Sequence, residues 1–302
     1  MSNIILTDGG MGQELLRRSG REPTPLWSAR VLLDEPDLVR ELHADFIVAG
    51  ARVITINTYS ATPERLERDA DKALFKPLQQ RGFALADAAR QQCGIDGVQI
   101  AGSLPPLYAS YRPEVAPDFE TCLSSYRQIV AEQSDKVDLF LCETLASVKE
   151  IRAAAIAAKE SGKPVWVGMT IRDDGSGLLR GGESLEAANA ALDAIGVAAR
   201  LINCSKPEAI SASWPEFSKA GGPLGAYANG FTAVDSLEPG GTVKSLEARH
   251  DLGPAQYAGF AMEWARNGAA IVGGCCEVGP AHIAALHAAL VENGYEISGT
   301  LS

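Results

Sequence analysis

The sequence has few cysteines, no long apolar run and fewer basic than acidic residues, and each shortage excludes a class of protein. Six cysteines in 302 residues are too few for a disulfide-stabilised scaffold. No stretch approaches the roughly 18 uncharged apolar residues that a membrane-spanning helix needs. Lysine and arginine number 27 against 38 acidic residues, and the net charge of −11 argues against binding to nucleic acid or an anionic membrane.

The first residues also lack the features of a secretory signal. Residues 1–4 carry no basic side chain, and Asp8 arrives too early for a long apolar segment to follow. Without a signal or a disulfide scaffold, the expected compartment is the reducing cytoplasm. No linker, low-complexity tract or internal repeat interrupts the chain, so we expect one domain over residues 1–302.

Short apolar runs alternate with amphipathic segments along the whole chain. The predicted strands cover residues 4–6, 53–56, 98–101, 137–142, 164–169, 197–202, 224–228 and 269–272. The predicted helices cover residues 11–18, 38–49, 74–91, 119–134, 147–160 and 280–290, with one more beginning at Ser184. Such alternation implies parallel strands and right-handed crossovers. The strand count and a length near the roughly 250 residues of a typical barrel favour an α/β fold, a (β/α)8 TIM barrel, over an open doubly wound sheet.

Polar and thiol side chains gather at the carboxyl ends of these predicted strands. They are Asp8, Asn57, Ser103, Glu143, Asn203, Cys204, Asn229, Cys275 and Cys276. Because the carboxyl ends of barrel strands surround one site, we expect these residues to meet there. Asn57, Ser103 and Asn203 are therefore candidate substrate contacts.

Three of these residues are cysteines that together propose a metal site. Cys275 and Cys276 are adjacent, and a peptide bond holds their Cα atoms about 3.8 Å apart, too close for an ordinary disulfide. Both thiolates can reach one soft cation, and Cys204 at another strand end offers a third ligand. Three thiolates with an open fourth position are the arrangement that a catalytic zinc requires. The alternative is that the cysteines are small buried core residues, but the Gly273-Gly274 pair before them favours metal.

Two acids at strand ends indicate an amino-acid ligand. Asp8 is followed by Gly9 and Gly10, and a glycine turn at a helix start can hold a carboxylate on its N–H groups. Asp8 would then pair with the ligand ammonium, although Asp and Gly are also ordinary turn residues. Glu143 is costly inside a barrel unless it is paired, so we interpret it as functional as well.

Several aromatic residues lie near the predicted strand ends. Trp27, Tyr59, Tyr108 and Tyr111 are either core or rim residues, and at the mouth their faces would suit a cationic ligand. The glycine-rich segment 175–182 has no phosphate-binding lysine motif, and we interpret it as a lid or a plain loop.

These motifs resemble the homocysteine S-methyltransferase family over nearly the whole chain. The most specific are Asn203-Cys204 and Gly273-Gly274-Cys275-Cys276, supported by Asp8-Gly9-Gly10, Glu143-Thr144 and Asn57-Thr58-Tyr59. The segment from Leu26-Trp27-Ser28 resembles family members that take methyl from S-methylmethionine or S-adenosylmethionine. Two segments depart from the pattern: Glu277-Val278 replaces a glycine after the cysteine pair, and Ser103-Leu104-Pro105-Pro106 replaces a Gly-Pro type of strand end.

The resemblance implies a zinc-dependent barrel enzyme with two small-molecule substrates. Cys204, Cys275 and Cys276 would hold zinc, while Asp8, Gly9, Gly10 and Glu143 would hold the amino-acid end of homocysteine. Trp27 and Tyr59 would face a methylated cationic donor, a sulfonium first. The alternatives are a betaine-type quaternary ammonium donor, selenocysteine or another thiol as acceptor, and a non-catalytic zinc-stabilised barrel that binds an amino acid. The sequence carries no indication of oligomeric state.

Overall fold

The computed structural model describes residues 2–301, so Met1 and Ser302 of the predicted domain lie outside the described residues. The strands are β1 (Ser2–Leu6), β2 (Val53–Thr55), β3 (Gln99–Leu104), β4 (Leu139–Leu145), β5 (Val165–Met169), β6 (Ala199–Asn203), β7 (Leu224–Tyr227), β8 (Ile271–Val272) and β9 (Tyr295–Ser298). The helices are α1 (Met11–Ser19), α2 (Ser28–Asp34), α3 (Pro36–Val48), α4 (Pro63–Asp69), α5 (Phe75–Cys93), α6 (Phe119–Gln133), α7 (Val148–Lys159), α8 (Leu185–Ile195), α9 (Pro207–Phe217), α10 (Pro254–Arg266) and α11 (Pro280–Glu292).

Parallel strands follow one another around a barrel in the order β2-β3-β4-β5-β6-β7-β8-β1. Backbone bonds join β1 to β2 and close the ring, from Arg52 N to Leu6 O at 2.8 Å and from Asp8 N to Val53 O at 2.9 Å. The predicted (β/α)8 barrel is therefore confirmed. Every crossover places the carboxyl ends of the strands at the same mouth.

Local sequence explains where most helices begin. Proline occupies the first helical position of α3, α4, α9, α10 and α11, where its missing N–H costs nothing. Side-chain oxygens that accept backbone N–H groups cap the starts of four helices: Thr62 caps α4 in addition to its proline, Asp118 caps α6, Ser147 caps α7 and Ser184 caps α8. None of the helices within residues 2–301 combines the length and apolar character needed to cross a bilayer.

Buried apolar residues form three clusters, and one of them lies at the mouth around Cys204, Phe231 and Cys276. A small cluster fills the lumen, with Trp166, Leu201 and Tyr227 among its members. A much larger cluster lies between the strands and the surrounding helices. The lumen is thus packed below the mouth, and a ligand has room only above it.

The structure adds elements that the sequence pattern did not predict. Helices α2, α4, α9 and α10 lie in segments where the sequence pattern predicts no helix, and strand β9 pairs in parallel with β1 beyond the eight-strand ring. Strand β4 was predicted to stop at Cys142 but continues to Leu145, with a shift of register between those residues. Thr144 within the shift has φ of 60°, so Glu143 belongs to an irregular strand rather than to the loop after it.

Candidate active site

The three predicted thiols meet at the mouth of the barrel. Cys204 follows β6, and Cys275 and Cys276 follow β8. Their sulfur atoms all lie within 4.8 Å of one another, and the Cys204 and Cys276 sulfurs are 4.0 Å apart. All three cysteines are free thiols. Among the described residues this is the one group of three or more metal-type ligands that converges so closely.

Two glycines allow the cysteine pair to reach this position. A Cβ atom on Gly273 would lie 1.8 Å from the Thr7 Oγ1 atom, and one on Gly274 would lie 2.2 Å from the Val278 Cγ1 atom. Any larger residue would push the end of β8 away from β1. The Gly-Gly sequence before the cysteines is therefore a requirement of close backbone approach.

Cys204 has a strained backbone that its neighbours hold in place. Its φ of 50° lies in the left-handed region, which is unfavourable for a residue with a side chain. The Asn229 Nδ2 group donates to the Cys204 carbonyl at 2.9 Å, and the Thr170 hydroxyl donates to the same carbonyl at 3.3 Å. Strain of this kind persists where surrounding contacts fix it, and such positions cluster at functional sites.

The sulfur geometry fits a tetrahedral metal. Zinc–thiolate bonds of about 2.3 Å at tetrahedral angles place sulfur atoms about 3.8 Å apart. The 4.0 Å between Cys204 and Cys276 is close to that value. No fourth cysteine, histidine or carboxylate joins the group among residues 2–301. The donor set therefore suits a soft divalent cation and leaves one position for a ligand.

Electrostatics within the thiol group also favour a cation. Burial opposes ionisation of Cys204, but hydrogen bonds from Cys275, Cys276 and Tyr111 outweigh it and hold the pKa of the Cys204 thiol well below its usual value. The hydrogen bond to Cys204 raises the pKa of Cys275 and of Cys276 well above the usual value, with burial adding to it. The three thiols together can therefore hold one negative charge. Ionisation of a second thiol is unfavourable unless a cation neutralises the added charge.

The two predicted acids lie in the same cavity. Asp8 is only 5% exposed, and its Oδ2 atom accepts a hydrogen bond from the Thr55 N–H at 2.8 Å. Glu143 accepts a hydrogen bond from the Ser103 hydroxyl at 2.7 Å. Burial raises the pKa of Asp8 well above its usual value and the pKa of Glu143 to about 7. Within the described part of the chain, neither acid has a basic side chain within 4.0 Å. Both carboxyl groups are therefore able to pair with a cationic group of a ligand.

The glycine turn is built for close contact, although one of its N–H groups is already used. A Cβ atom on Gly9 would lie 2.0 Å from the Val278 carbonyl oxygen, and one on Gly10 would lie 2.5 Å from the Cys275 carbonyl oxygen. The Gly10 N–H donates to the Val278 carbonyl at 2.9 Å and is not free for a ligand. The predicted contact with a ligand carboxylate therefore falls to Gly9, whose N–H has no partner among residues 2–301.

Aromatic rings form one wall of the cavity. Trp27 and Tyr59 meet edge to face with centroids 5.9 Å apart, and the Tyr59 hydroxyl bonds to the Ser110 hydroxyl at 2.8 Å. The Tyr111 hydroxyl lies 3.0 Å from the Cys204 sulfur. Tyr108 lies outside the cavity, where its ring stacks under Arg68 at 4.8 Å. The three thiols, the two acids and the rings of Trp27, Tyr59 and Tyr111 all line this one cavity.

Three predicted polar contacts differ in position. Asn57 lines the cavity, with its Nδ2 group donating to the Ser28 carbonyl at 3.3 Å. Ser103 lies behind Glu143 and orients that carboxylate. Asn203 accepts from the Thr144 N–H and donates to the Thr144 hydroxyl, each at 2.9 Å, so it holds the irregular end of β4. Ser103 and Asn203 thus support the acidic wall from outside the cavity.

The cavity also contains residues that the strand-end pattern does not predict, among them Tyr227 and Arg65. Tyr227 ends β7, and its buried hydroxyl has no hydrogen-bond partner among the described residues. A Cβ atom on Gly168 would lie 2.8 Å from that hydroxyl, so the glycine leaves the space that the Tyr227 ring occupies. Arg65 reaches the cavity from α4 and is 8% exposed. Tyr227 lies next to the carboxyl end of the predicted strand 224–228, which is a signal that could have identified it; Arg65 had no such signal.

The structure is a parallel barrel with a thiol cluster and two acids at its mouth. This arrangement is typical of a barrel enzyme with one active site. The sequence profile of the homocysteine S-methyltransferase family matches residues 5–290. The chain belongs to this family, and it is a methyltransferase by that membership.

Individual members of the family also match this chain over nearly its whole length. The chain is 33% identical to the homocysteine S-methyltransferase of Escherichia coli K12, covering 95% of each chain. It is 28% identical to betaine–homocysteine S-methyltransferase 1 of Danio rerio, covering 94% of this chain and 72% of the other. The crystal structure of the Escherichia coli homocysteine methyltransferase MmuM in its metallated form superposes with a TM-score of 0.79 at 31% identity, covering 95% of this chain and 96% of that one.

Proposed function

We propose that this protein transfers a methyl group from a sulfonium donor to the thiol of L-homocysteine, giving methionine, and that the reaction depends on zinc. The observation that carries the proposal is the convergence of three free thiols within 4.8 Å beside Asp8, which is buried, and Glu143, which is partly buried. Three sulfur ligands with one open position are typical of catalytic zinc. A relative crystallised in a metallated form supports the presence of a metal.

The chain's own residues bind and orient the acceptor. Asp8 and Glu143 pair with the ammonium group, and the Gly9 N–H donates to the carboxylate. This places the acceptor thiol toward Cys204, Cys275 and Cys276, which would hold the metal. Zinc bound there would lower the pKa of a coordinated thiol, about 8.5 when free, so that the thiolate acts as nucleophile at neutral pH.

The donor site is suited to a cation. The thiols and acids give the inner cavity negative charge, and the rings of Trp27 and Tyr59 offer faces to a methylated sulfonium. The leaving group departs neutral, so the chain needs to orient the donor rather than to protonate it. S-methylmethionine and S-adenosylmethionine are the two sulfonium donors that we propose, with S-methylmethionine first.

A betaine-type donor is the second candidate, because a relative that covers most of this chain is a betaine–homocysteine S-methyltransferase. Selenocysteine is the corresponding alternative acceptor, and a relative from Astragalus bisulcatus is a selenocysteine methyltransferase. We assign both substrate sites to one domain over residues 1–302. The six free cysteines suit a reducing compartment such as the cytoplasm.

We expect zinc-loaded protein to form methionine fastest from homocysteine and S-methylmethionine. Each donor is supplied with a deuterated methyl group, and labelled methionine is counted by mass spectrometry. A cation–π contact worth up to about 2 kcal/mol corresponds to a preference of up to about 30-fold over a donor with a poorer fit. Labelled methionine from betaine, with none from either sulfonium, would contradict the proposed donor while leaving the acceptor site unaffected.

A further inference from the structure

Arg65 is a buried cation on the wall of the active-site cavity. It lies in the first turn of α4, where the Thr62 hydroxyl caps the helix by accepting the Arg65 N–H at 3.2 Å. The residue is 8% exposed, and it lines the same cavity as the thiols and the aromatic wall. A charged group with so little contact with water is costly unless other groups compensate it.

The hydrogen-bond partners of Arg65 are all neutral. Its Nε and Nη2 groups donate to the Pro106 carbonyl at 3.3 and 3.0 Å, and Nη2 also donates to the Ser110 hydroxyl at 3.2 Å. Within residues 2–301 no carboxylate oxygen comes within 4.0 Å of the guanidinium, and Nη1 donates to no protein atom. The neighbouring Arg68 differs, because Asp69 pairs with it at 2.6 Å. Arg65 thus retains an unsatisfied positive charge and an unused pair of N–H donors.

The guanidinium faces the cavity from the donor side. The guanidinium stacks over the Tyr59 ring at 5.4 Å from its centroid. The Tyr59 ring in turn meets the Trp27 ring edge to face. Burial raises the pKa of Tyr59, the charge of Arg65 opposes that rise, and the charges of Cys204 and Glu143 add to it. Tyr59 and Arg65 line the same cavity as Cys204 and Glu143.

We propose that Arg65 binds the carboxylate of the methyl donor and so restricts the donor to methylated cations that carry a carboxylate. This inference rests on the proposed function and adds a specificity-determining residue to it. The free Nη1 group of Arg65 can donate a charge-assisted hydrogen bond to a carboxylate oxygen. The donor's methylated cation would then lie between the aromatic faces and the thiols, with its carboxylate pointing outward to Arg65. The homocysteine carboxylate has its own contact at Gly9, beside the acids.

The test compares donors that differ only in the carboxylate. We would measure KM and kcat with S-methylmethionine and with S-methylmethioninamide, which has the same sulfonium but a neutral amide. Wild-type protein, Arg65→Gln, Arg65→Lys and the control Arg68→Gln are assayed at fixed homocysteine, after circular dichroism has shown that each is folded. For Arg65→Gln we expect KM for S-methylmethionine to rise about 10- to 100-fold, as for loss of a charged hydrogen bond. KM for the amide and for homocysteine should stay at the wild-type value, and Arg65→Lys should recover part of the loss.

Each outcome decides the role of Arg65. Equal loss with the acid and the amide would mean that Arg65 only supports the Pro106–Ser110 loop, and would overturn the inference. A rise in KM for homocysteine instead of the donor would overturn it as well. If Arg65→Gln does not fold, equal use of acid and amide by wild-type protein would still refute carboxylate recognition, and strong preference for the acid would support it. The same comparison can be made between betaine and its amide. A wrong assignment of the donor's cationic group is then distinguishable from a wrong assignment of Arg65.

Discussion

The Cys204→Ala variant is expected to lose both its metal and its methyltransferase activity. Cys204 supplies one of the three converging sulfur atoms. Its backbone is held in a strained conformation with φ of 50° at this position. Changing a residue that merely supports a metal ligand costs about 10- to 100-fold in metal affinity or activity. Removing a ligand itself should therefore lower methionine formation by more than about 100-fold. Metal content per chain and the rate of methionine formation are the two measurements.

The control for this variant is Cys93→Ala. Cys93 ends α5, far along the chain from the thiol group, where its sulfur donates to the Ala44 carbonyl at 3.7 Å and its side chain packs against the large apolar cluster. We expect wild-type metal content and activity in the control. A chelator should abolish activity without melting the barrel, because the large apolar cluster between strands and helices contains none of the three thiols. Full metal content in Cys204→Ala, or cooperative unfolding on chelation, would favour a structural metal elsewhere.

The Glu143→Gln variant is expected to bind homocysteine more weakly above pH 7 and to lose that difference below it. Burial holds the pKa of Glu143 at about 7 without ligand, so the carboxylate is ionised above that pH and can pair with the ammonium. Loss of a charged hydrogen bond worth about 1.5–3 kcal/mol lowers kcat/KM for homocysteine by about 10- to 100-fold. As pH falls through 7, wild-type Glu143 becomes protonated and its advantage over glutamine disappears.

The same Glu143→Gln substitution, which weakens homocysteine binding above pH 7, should stabilise the ligand-free protein at that pH. A carboxyl group whose folded pKa is raised stabilises the protein below its unfolded pKa of about 4.5, and this stability is lost as pH rises through about 7. Glutamine has no such loss, so Glu143→Gln should melt higher than wild type at pH 8. Each pKa unit corresponds to about 1.4 kcal/mol, so the rise from 4.5 to about 7 gives a gain of roughly 3–4 kcal/mol at pH 8. The exposed Glu120→Gln is the control; pH profiles of Glu143→Gln that parallel the wild type would exclude the role of Glu143.

The convergence of the site could be predicted from sequence because it depends mainly on topology. Once the strands are parallel and form a ring, Asp8, Cys204 and Cys275 must meet, whatever the details of the helices. The Gly-Gly pair before Cys275 was also informative, since it marks a close backbone approach that the structure shows against Thr7 and Val278.

The positions of supporting residues could not be predicted in this way. Ser103 and Asn203 also end strands, but the register of β4 and the reversal at Thr144 turn them toward Glu143 and the β4 backbone. Arg65 belongs to an acidic and basic helix that resembles a solvated surface segment. Tertiary packing buries Arg65 and leaves its neighbour Arg68 paired with Asp69, and no local pattern distinguishes the two.

X-ray absorption spectroscopy of the zinc-loaded protein, with and without homocysteine, tests the central claim most directly. The claim is that three protein thiolates leave one position for the acceptor sulfur. The predicted result is three sulfur neighbours at about 2.3 Å together with one lighter atom in the free protein, and four sulfur neighbours after homocysteine is added. A sulfur count that does not change when homocysteine binds, or a first shell made of nitrogen and oxygen, would contradict the account.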